Sequence, residues 1–440
     1  RFDGVALSDI PVVQCFDLKT VKWYQTQFAR RNPEHPEISD PIEFLLNWNF
    51  IVERSGEMLP TRAGVLLFGE GRFVRQILPR PVLDYQRIDT PFDEWSAEQR
   101  WHDRYVFEEN IFQTWQGLVA RYMRIAEHPF SLDPATLRRN DDPPDYVAFR
   151  EAAINLLIHQ DYGDHGRKAS IRLFTDRTIF WNPGDAFATE AELLDPTEKE
   201  VRNPSIVKAF RRIGLSDQAG TGIRAIFRNW HDLGRVPPQL RNDKARKEFE
   251  LVLLNSPLAT EEMQRFREII GVNLTREQAD VLALALGQQH GERISLTDIR
   301  GLGISTTQQA RQVAEALIRQ QLLQPVGETL FEVPAALGER FTRAAVQAAP
   351  QVAPHVTPQV TPQVSPQVLA LLAKVSGEMA RQELMEAVGL KDRKHFGDAY
   401  LQPALDAGVL EMTIPDKPRS SKQRYRLTEL GRTSLKRAGA

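Results

Sequence analysis

Cysteine is almost missing from this chain of 440 residues. Cys15 is the only one, so no internal disulfide can form, and a reducing, cytoplasmic setting is expected. No apolar run approaches the roughly 20 residues of a membrane span, and the opening "RFDGVALSDI" is no signal peptide. An initiating Met is lacking too, which leads us to expect a fragment or a processed product with more chain upstream. Neither sign of charge is in excess: 56 Lys and Arg against 58 Asp and Glu leave a net charge of −2. Any affinity for nucleic acid or membrane must then come from a local patch. A G-x-x-x-x-G-K-[ST] phosphate loop is also lacking. "GEGRFV" has neither the lysine nor the hydroxyl, so translocation on DNA by a Walker-type helicase motor is not expected. The remainder, 42% apolar and 26% charged, is that of a soluble globular protein with about three or four domains.

The pattern along the chain divides it. Residues 1–90 read as a small α/β region with a helix, a short hairpin and a second helix, which is winged-helix-like, followed by the strand "RPVLDYQRIDT". From Ala97 to Ala126, Trp101, Tyr105, Phe107, Ile111, Phe112, Trp115 and Leu118 suggest one long aromatic helical stripe, a core element or a dimer contact. Residues 91–257 then hold a helix, a hairpin ending in "WNPG", a charged irregular stretch, a helix, a Gly-Thr-Gly turn before another helix, and a closing strand. Residues 273–334 read as three helices and a two-stranded wing. A segment with Pro at every fourth position, 350–367, reads as an extended spacer or a docking motif. Residues 368–440 repeat the pattern of three helices and a wing. Two winged helices on a string is the expectation.

One stretch carries chemistry. In "REAAINLLIHQDYGDHG", Glu151, Asn155 and His159 follow at i+4 steps, and so share one drifting stripe of a helix. They are either the solvated face of an amphipathic helix or polar groups held beside a metal-bound phosphate. His159, Asp161 and His165 could alternatively ligate a transition metal, although no further cluster of Cys or His supports that.

The order "REAAINLLIHQDY", "IRLFTDRTIFWNPG", "RNPSIVKAFRRIGL", "AGTGIRAI" resembles the divergent branch of the gyrase–Hsp90–histidine-kinase–MutL (GHKL) ATP-binding fold. This branch occurs in bacterial RecG-related proteins that usually carry an upstream Schlafen-type, AlbA-like domain. The resemblance covers about residues 10–255. The last domain resembles the C-terminal winged helix of some Fic-like proteins. The implied fold is an α+β sandwich with two winged helices behind it, and the implied cofactors are ATP and Mg²⁺.

Within that resemblance, Asn155 supplies an amide oxygen to Mg²⁺ and Glu151 orients or deprotonates the attacking water. Gly220, Thr221 and Gly222 offer backbone N–H groups to phosphate at a helix start. Asn182 stands near the place of the usual adenine-reading Asp, just before Gly184, so the choice of purine stays open. The charged span 185–219 is the lid, with Arg202 a phosphate contact or a structural group. His159 continues the stripe toward phosphate or packs near the lid. Whether ATP is hydrolysed is left open.

The two wings differ in charge. Arg311 and Arg319 stand almost alone on the first presumed recognition helix. The second unit offers Lys391, Arg393 and Lys394 on its third helix and Lys417, Arg419, Lys422, Arg424 and Arg426 on its wing, a density suited to the phosphates of double-stranded DNA. The resulting expectation is a dimeric, ATP-binding, DNA-binding regulator, with Trp101, Phe112 and Trp115 forming the subunit contact. Its rivals are a nucleotide-binding scaffold whose winged helices bind protein, and a defence-system effector whose active domain lies upstream.

Overall fold

The computed structural model describes residues 2–96, 101–125, 144–195, 197, 199–216, 222–287, 293–348, 366–390, 393–413, 423–428, 431–432 and 435. They fall into two compact units, Arg1–Ala349 and Pro350–Ala440.

The first unit opens with a 3-10 turn at Phe2–Gly4, α1 (Val12–Cys15), α2 (Leu18–Arg31) and α3 (Pro41–Asn47). The hairpin β1 (Ile51–Arg54) and β2 (Glu57–Pro60), α4 (Arg62–Phe68) and α5 (Gly71–Ile77) follow. Side-chain caps set the helix starts: Asp17 accepts from Thr20 N at 3.1 Å, Asp40 from Glu43 N at 2.8 Å and Thr61 from Gly64 N at 3.1 Å. Each satisfies an N–H that the first turn cannot satisfy internally. Ser55 and Gly56 both take positive φ, 53° and 77°, which suits a two-residue hairpin turn.

A mixed six-stranded sheet follows, built from β3 (Leu83–Arg87), β4 (Asp103–Phe107), β5 (Ser170–Leu173), β6 (Arg177–Pro183), β7 (Gln239–Asp243) and β8 (Glu248–Leu254). Its order is β4-β3-β5-β6-β8-β7. Only β3 and β5 are parallel; the other neighbours are antiparallel. Between the strands lie α6 (Ile111–Ile125), α7 (Pro144–His159), α8 (Glu190–Leu193), α9 (Pro204–Arg212) and α10 (Gly222–Asp232). One core joins Tyr24, Phe50 and Phe68 of the N-terminal region to Tyr85, Phe112, Leu157, Phe180 and Phe210 of the sheet and its helices. The arrangement is a mixed α/β fold.

The structure corrects the single aromatic helix expected over 97–126. Residues 103–107 are strand, and α6 starts only after Asn110, whose side chain accepts from Gln113 N at 2.9 Å. The aromatics sort accordingly. Phe112 and Trp115 are buried in the chain's own core, whereas Trp101 is 44% exposed beneath the Arg104 guanidinium. The three therefore do not form the expected patch between subunits.

Residues beyond the sheet form α11 (Glu261–Ile270), α12 (Arg276–Gly287), β9 (Ile294–Ser295), α13 (Leu296–Arg300), α14 (Thr307–Arg319), β10 (Gln324–Val326), β11 (Leu330–Glu332) and α15 (Ala335–Ala348). The strands pair in the order β10-β11-β9 over a separate core around Phe266, Leu282, Ile299 and Phe331. Most of the proline-rich stretch, up to residue 365, lies outside the described residues, and Pro366 opens α16.

The second unit comprises α16 (Pro366–Leu372), β12 (Met379–Ala380), α17 (Arg381–Ala387), α18 (Arg393–Phe396), a π turn at Gly397–Leu401, α19 (Gln402–Asp406), β13 (Leu410–Met412) and β14 (Arg424–Leu427). Its sheet has the order β12-β14-β13 over a core around Leu371, Leu384, Phe396 and Tyr425. Among the described residues, no helix is long and apolar enough to cross a membrane.

Candidate functional site

The polar stripe of α7 does not face bulk solvent. Ala152, Ala153, Ile154, Leu156, Leu157 and Ile158 are all buried, because α7 lies in the main core and packs along α10. Glu151, Asn155 and His159 are half-buried and line a cavity of about 560 Å³, within the usual range of small-molecule sites. Asn182, Gly184, Arg202 and Gly222 line the same cavity. Seven of the nine residues proposed from sequence for catalysis and cofactor binding thus meet in one place; Gly220 and Thr221 lie outside the described residues.

Close packing joins the stripe to α10. A β-carbon placed on Gly222 would sit 3.2 Å from Asn155 Nδ2 and 3.3 Å from Glu151 Oε2. Only a glycine lets the first residue of α10 approach these two side chains without displacing them. Asn155 Nδ2 is buried and, among the described residues, has no hydrogen-bond partner, an arrangement that normally needs a further group to complete it. Glu151 is 3.5 Å from Arg150. Burial, and secondarily the charge of Arg202, pushes the His159 imidazole down to about 4, so it is neutral at pH 7.

The end of β6 forms a second wall. Asn182 is buried, and its NH₂ donates to the carbonyls of Pro183 at 3.1 Å and Gly184 at 3.3 Å. Two carbonyl partners fix which end of the amide is nitrogen, and Oδ1 remains as the acceptor. Gly184 has φ +102°, and a β-carbon there would lie 2.9 Å from Asp161 N. Arg202 donates to the backbone oxygen and Oδ1 of Asp185, both at 3.1 Å, lies 3.6 Å from Asp161 and stacks 4.9 Å over Phe187. It is therefore already tied to the loop it shares with the cavity.

Sequence reasoning missed most of the cationic wall. Lys199, Lys208 and Arg211 line the cavity. Pro204, Lys208 and Arg211 stand at i, i+4 and i+7 of α9, a one-faced spacing that was legible in "PSIVKAFRRIGL". Distant residues hold that face in place. Asp3 accepts from Ser205 N at 2.6 Å and Ile206 N at 3.3 Å, capping α9 from the far end of the chain. Asn203 donates to the carbonyls of Ile158 at 3.0 Å and Gln160 at 2.8 Å, tying α9 to the end of α7. The span expected to be irregular also contains α8, opened by a capping box between Thr189 and Glu192.

The turn after α7 has a structural explanation. Arg80 donates to Asp164 O at 2.6 Å, Asp161 O at 2.9 Å and Gln160 Oε1 at 3.1 Å. Asp161 turns instead to Gly163 N at 2.8 Å and to Arg202. Among the described residues no three His, Cys, Asp or Glu side chains are grouped to hold a metal ion, so the transition-metal alternative built on His159, Asp161 and His165 is not assembled.

The expected DNA-contacting cations are only partly visible. Lys391, Lys417, Arg419 and Lys422 lie outside the described residues. Arg393 and Lys394 belong to α18. Arg424 and Arg426 lie on β14 and already face acids: Arg426 is 2.6 Å from Glu411 and 3.3 Å from Glu378, and Arg424 is 3.7 Å from Glu383.

Three stretches match known family models. Residues 166–253 match a model described as "Putative ATP-dependent DNA helicase recG C-terminal", HATPase_c_4. Residues 366–428 match the C-terminal domain of the Fic-like proteins, named for filamentation induced by cAMP. Residues 4–84 match a domain of unknown function, DUF8451. Each covers less than half of the chain, and none names a Schlafen- or AlbA-type domain. No curated protein matches. Among solved structures, the DIP2311 protein from Corynebacterium diphtheriae is similar at 18% identity and a TM-score of 0.46, over 97% of this chain and 70% of that one. A Fic family protein from Desulfovibrio desulfuricans G20 is similar at 16% identity and a TM-score of 0.15, over 72% of this chain and 95% of that one. Both scores are too low for a shared fold to follow. The HATPase-type match spans β5 to β8, including α8 and α9, and fits ATP binding in general; α7, with Glu151 and Asn155, lies just before it.

Proposed function

We propose that the cavity bounded by α7, the end of β6, α9 and α10 binds Mg-ATP. The observation that carries this reading is the polar stripe of an otherwise buried helix, lining a cavity and closed against a glycine at the N-terminus of α10. The chemistry of the donors fits. The start of α10 favours anionic groups, and Lys199, Arg202, Lys208 and Arg211 supply positive charge along the opposite wall. The unsatisfied amide of Asn155 and the close approach of Gly222 suit Mg²⁺, which Asn155 would hold through its oxygen once the amide is turned. Bound there, the ion would neutralise phosphate charge. Glu151, one turn away, would orient a water, and the acceptor oxygen of Asn182 favours the amino group of adenine over the carbonyl of guanine.

Titration calorimetry tests the site. Asn155→Ala should weaken Mg-ATP binding by at least about tenfold, or 1.4 kcal/mol. Glu151→Ala should leave affinity nearly unchanged and lower any hydrolysis. Unchanged Mg-ATP affinity in a folded Asn155→Ala protein would remove the site.

The finer reading is an ATP-binding regulator that places winged-helix DNA-binding modules. Its support is the recurring order of helix, strand, two helical stretches and two strands in 276–332 and in 366–427, each with a three-stranded antiparallel sheet. One observation favours protein as the ligand of the second unit instead: the carboxylates that already face Arg424 and Arg426 would have to be displaced before phosphate could bind. Salt-dependent binding of duplex DNA separates the two. Each phosphate contact contributes a slope of about 0.9 in log affinity against log salt, and absence of binding at low salt leaves the protein-binding reading.

A further inference from the structure

The region that follows the sheet is joined to two walls of the cavity by part-buried polar contacts. Arg300, the last residue of α13, has a side chain only 4% exposed. Its guanidinium donates to Asp195 Oδ1 at 2.6 Å and to the Ala191 carbonyl at 3.2 Å, across more than a hundred residues of chain. Ala191 lies within α8, and Asp195 follows two residues after its end. Two residues of this same segment, Leu193 and Lys199, line the cavity, and Lys199 donates to the Asp195 carbonyl at 2.9 Å. A short chain of bonds thus runs from Arg300 through Asp195 to a cavity-lining cation.

The other side of the lid is fastened to the sheet. Asn242 of β7 accepts from Ala186 N at 2.8 Å and donates to the carbonyls of Ala186 at 3.0 Å and Ala188 at 2.9 Å. Glu190 in turn accepts from Asn242 N at 2.9 Å. Segment 186–195 is therefore pinned at one end by the sheet and at the other by Arg300.

The second wall is α10, whose first residue touches Asn155 and Glu151. Near its other end, His231 Nε2 is 2.9 Å from Asp280 of α12. Gly301, directly after Arg300, is pressed against α10: a β-carbon there would lie 3.1 Å from the Phe227 ring. The last residue of α13 and the glycine after it thereby reach the 191–195 segment and α10 respectively. A nearly buried arginine is costly to desolvate. Here it makes a two-pronged contact that a single apolar side chain could not replace.

We propose that Arg300 is a positioning residue that holds Ala191–Asp195, and through Asp195 the side chain of Lys199, at the wall of the cavity, so that occupancy of the cavity and the seating of α13 on it are linked. The linkage rests on the nucleotide reading; the hold on the lid does not. Because energetic coupling is reciprocal, a ligand that orders the lid must also tighten the contact of α13, and loss of that contact must weaken the ligand.

Hydrogen exchange and calorimetry on the full chain test both parts. Without nucleotide, Arg300→Ala should speed exchange across 190–195 by about tenfold or more, while amides in the α7 core stay protected. Its Mg-ATP affinity should fall about fivefold. Arg300→Lys, which keeps the charge, should recover part of each effect, and Arg300→Met, which keeps the packing volume without the charge, should not. Mg-ATP should slow exchange at 296–302 in the wild type and not in Arg300→Ala. Unaltered exchange at 190–195 in a folded Arg300→Ala protein overturns the hold on that segment. Affinity within twofold of wild type, or tighter, overturns the linkage. Should Arg300→Ala fail to fold, Asp195→Asn tests the same contact from its exposed partner, with the same outcomes. A wild type that binds no Mg-ATP defeats the nucleotide reading, and the exchange of the nucleotide-free protein still decides the role of Arg300.

Discussion

Gly222→Ala separates a binding role for the start of α10 from a merely structural one. The added methyl would lie 3.2 Å from Asn155 Nδ2, 3.3 Å from Glu151 Oε2 and 3.5 Å from Asn155 Oδ1. These are tight contacts, but all three are with ends of half-buried side chains that can shift by a few tenths of an ångström. Against that cost stands the helix preference of Ala over Gly, up to about 1 kcal/mol in a helix interior and less in the first turn. The two terms are of similar size and opposite sign, so unfolding free energy should change by no more than about 1 kcal/mol.

Binding has no such compensation. The methyl would press on Asn155 and Glu151, the two side chains proposed to hold Mg²⁺ and to orient a water. A displacement of that kind should weaken Mg-ATP by about tenfold or more, which is 1.4 kcal/mol. Urea denaturation and titration calorimetry on the same preparation give both numbers. Wild-type affinity together with wild-type stability would show that the placement of Asn155 and Glu151 against α10 plays no part in binding. A stability loss above about 3 kcal/mol would show that the glycine serves packing alone.

Two further outcomes follow from backbone and charge. Gly184→Ala must place a β-carbon at φ +102°, 2.9 Å from a backbone nitrogen that cannot rotate away, so it should destabilise the protein by about 2–3 kcal/mol in urea; a loss below about 0.5 kcal/mol would refute that strain. His159 has its folded pKa lowered from 6.5 to about 4, so the stability tied to its neutral form is complete above pH 6.5 and drains away as pH falls toward 4. The size is on the order of 3 kcal/mol. His159→Gln should lose less than the wild type over that window, and parallel urea midpoints from pH 7 to 4.5 would refute it.

What could be read from sequence depended on how far apart the cooperating residues are. Glu151, Asn155 and His159 share one helix, so their spacing alone places them together. Whether that face met water or a cavity depended on what covers the rest of α7, and the burial of Ala148, Phe149 and Ala152 comes from tertiary packing. The segment 101–107 misled because its aromatics suit helix and strand alike; the alternation of Tyr105 and Phe107 and the cap at Asn110 were the discriminating signals. Thr189-x-x-Glu192 was likewise a readable helix start inside a stretch that looked irregular.

The cationic wall is a different matter, because its position rests on contacts that no local pattern encodes. Asp3 reaches Ser205 across 202 residues and Asn203 reaches Ile158 across 45, and together they orient α9. Arg300 reaches Asp195 across 105. A chain with the same stripe but without Asp3 and Asn203 would keep the packing of α7 in the main core and along α10. It would lose the bonds that aim Lys208 and Arg211 at the cavity. The stripe marks the wall at which the proposed nucleotide would sit. The long-range polar bonds decide whether the opposite wall carries the charge to hold it.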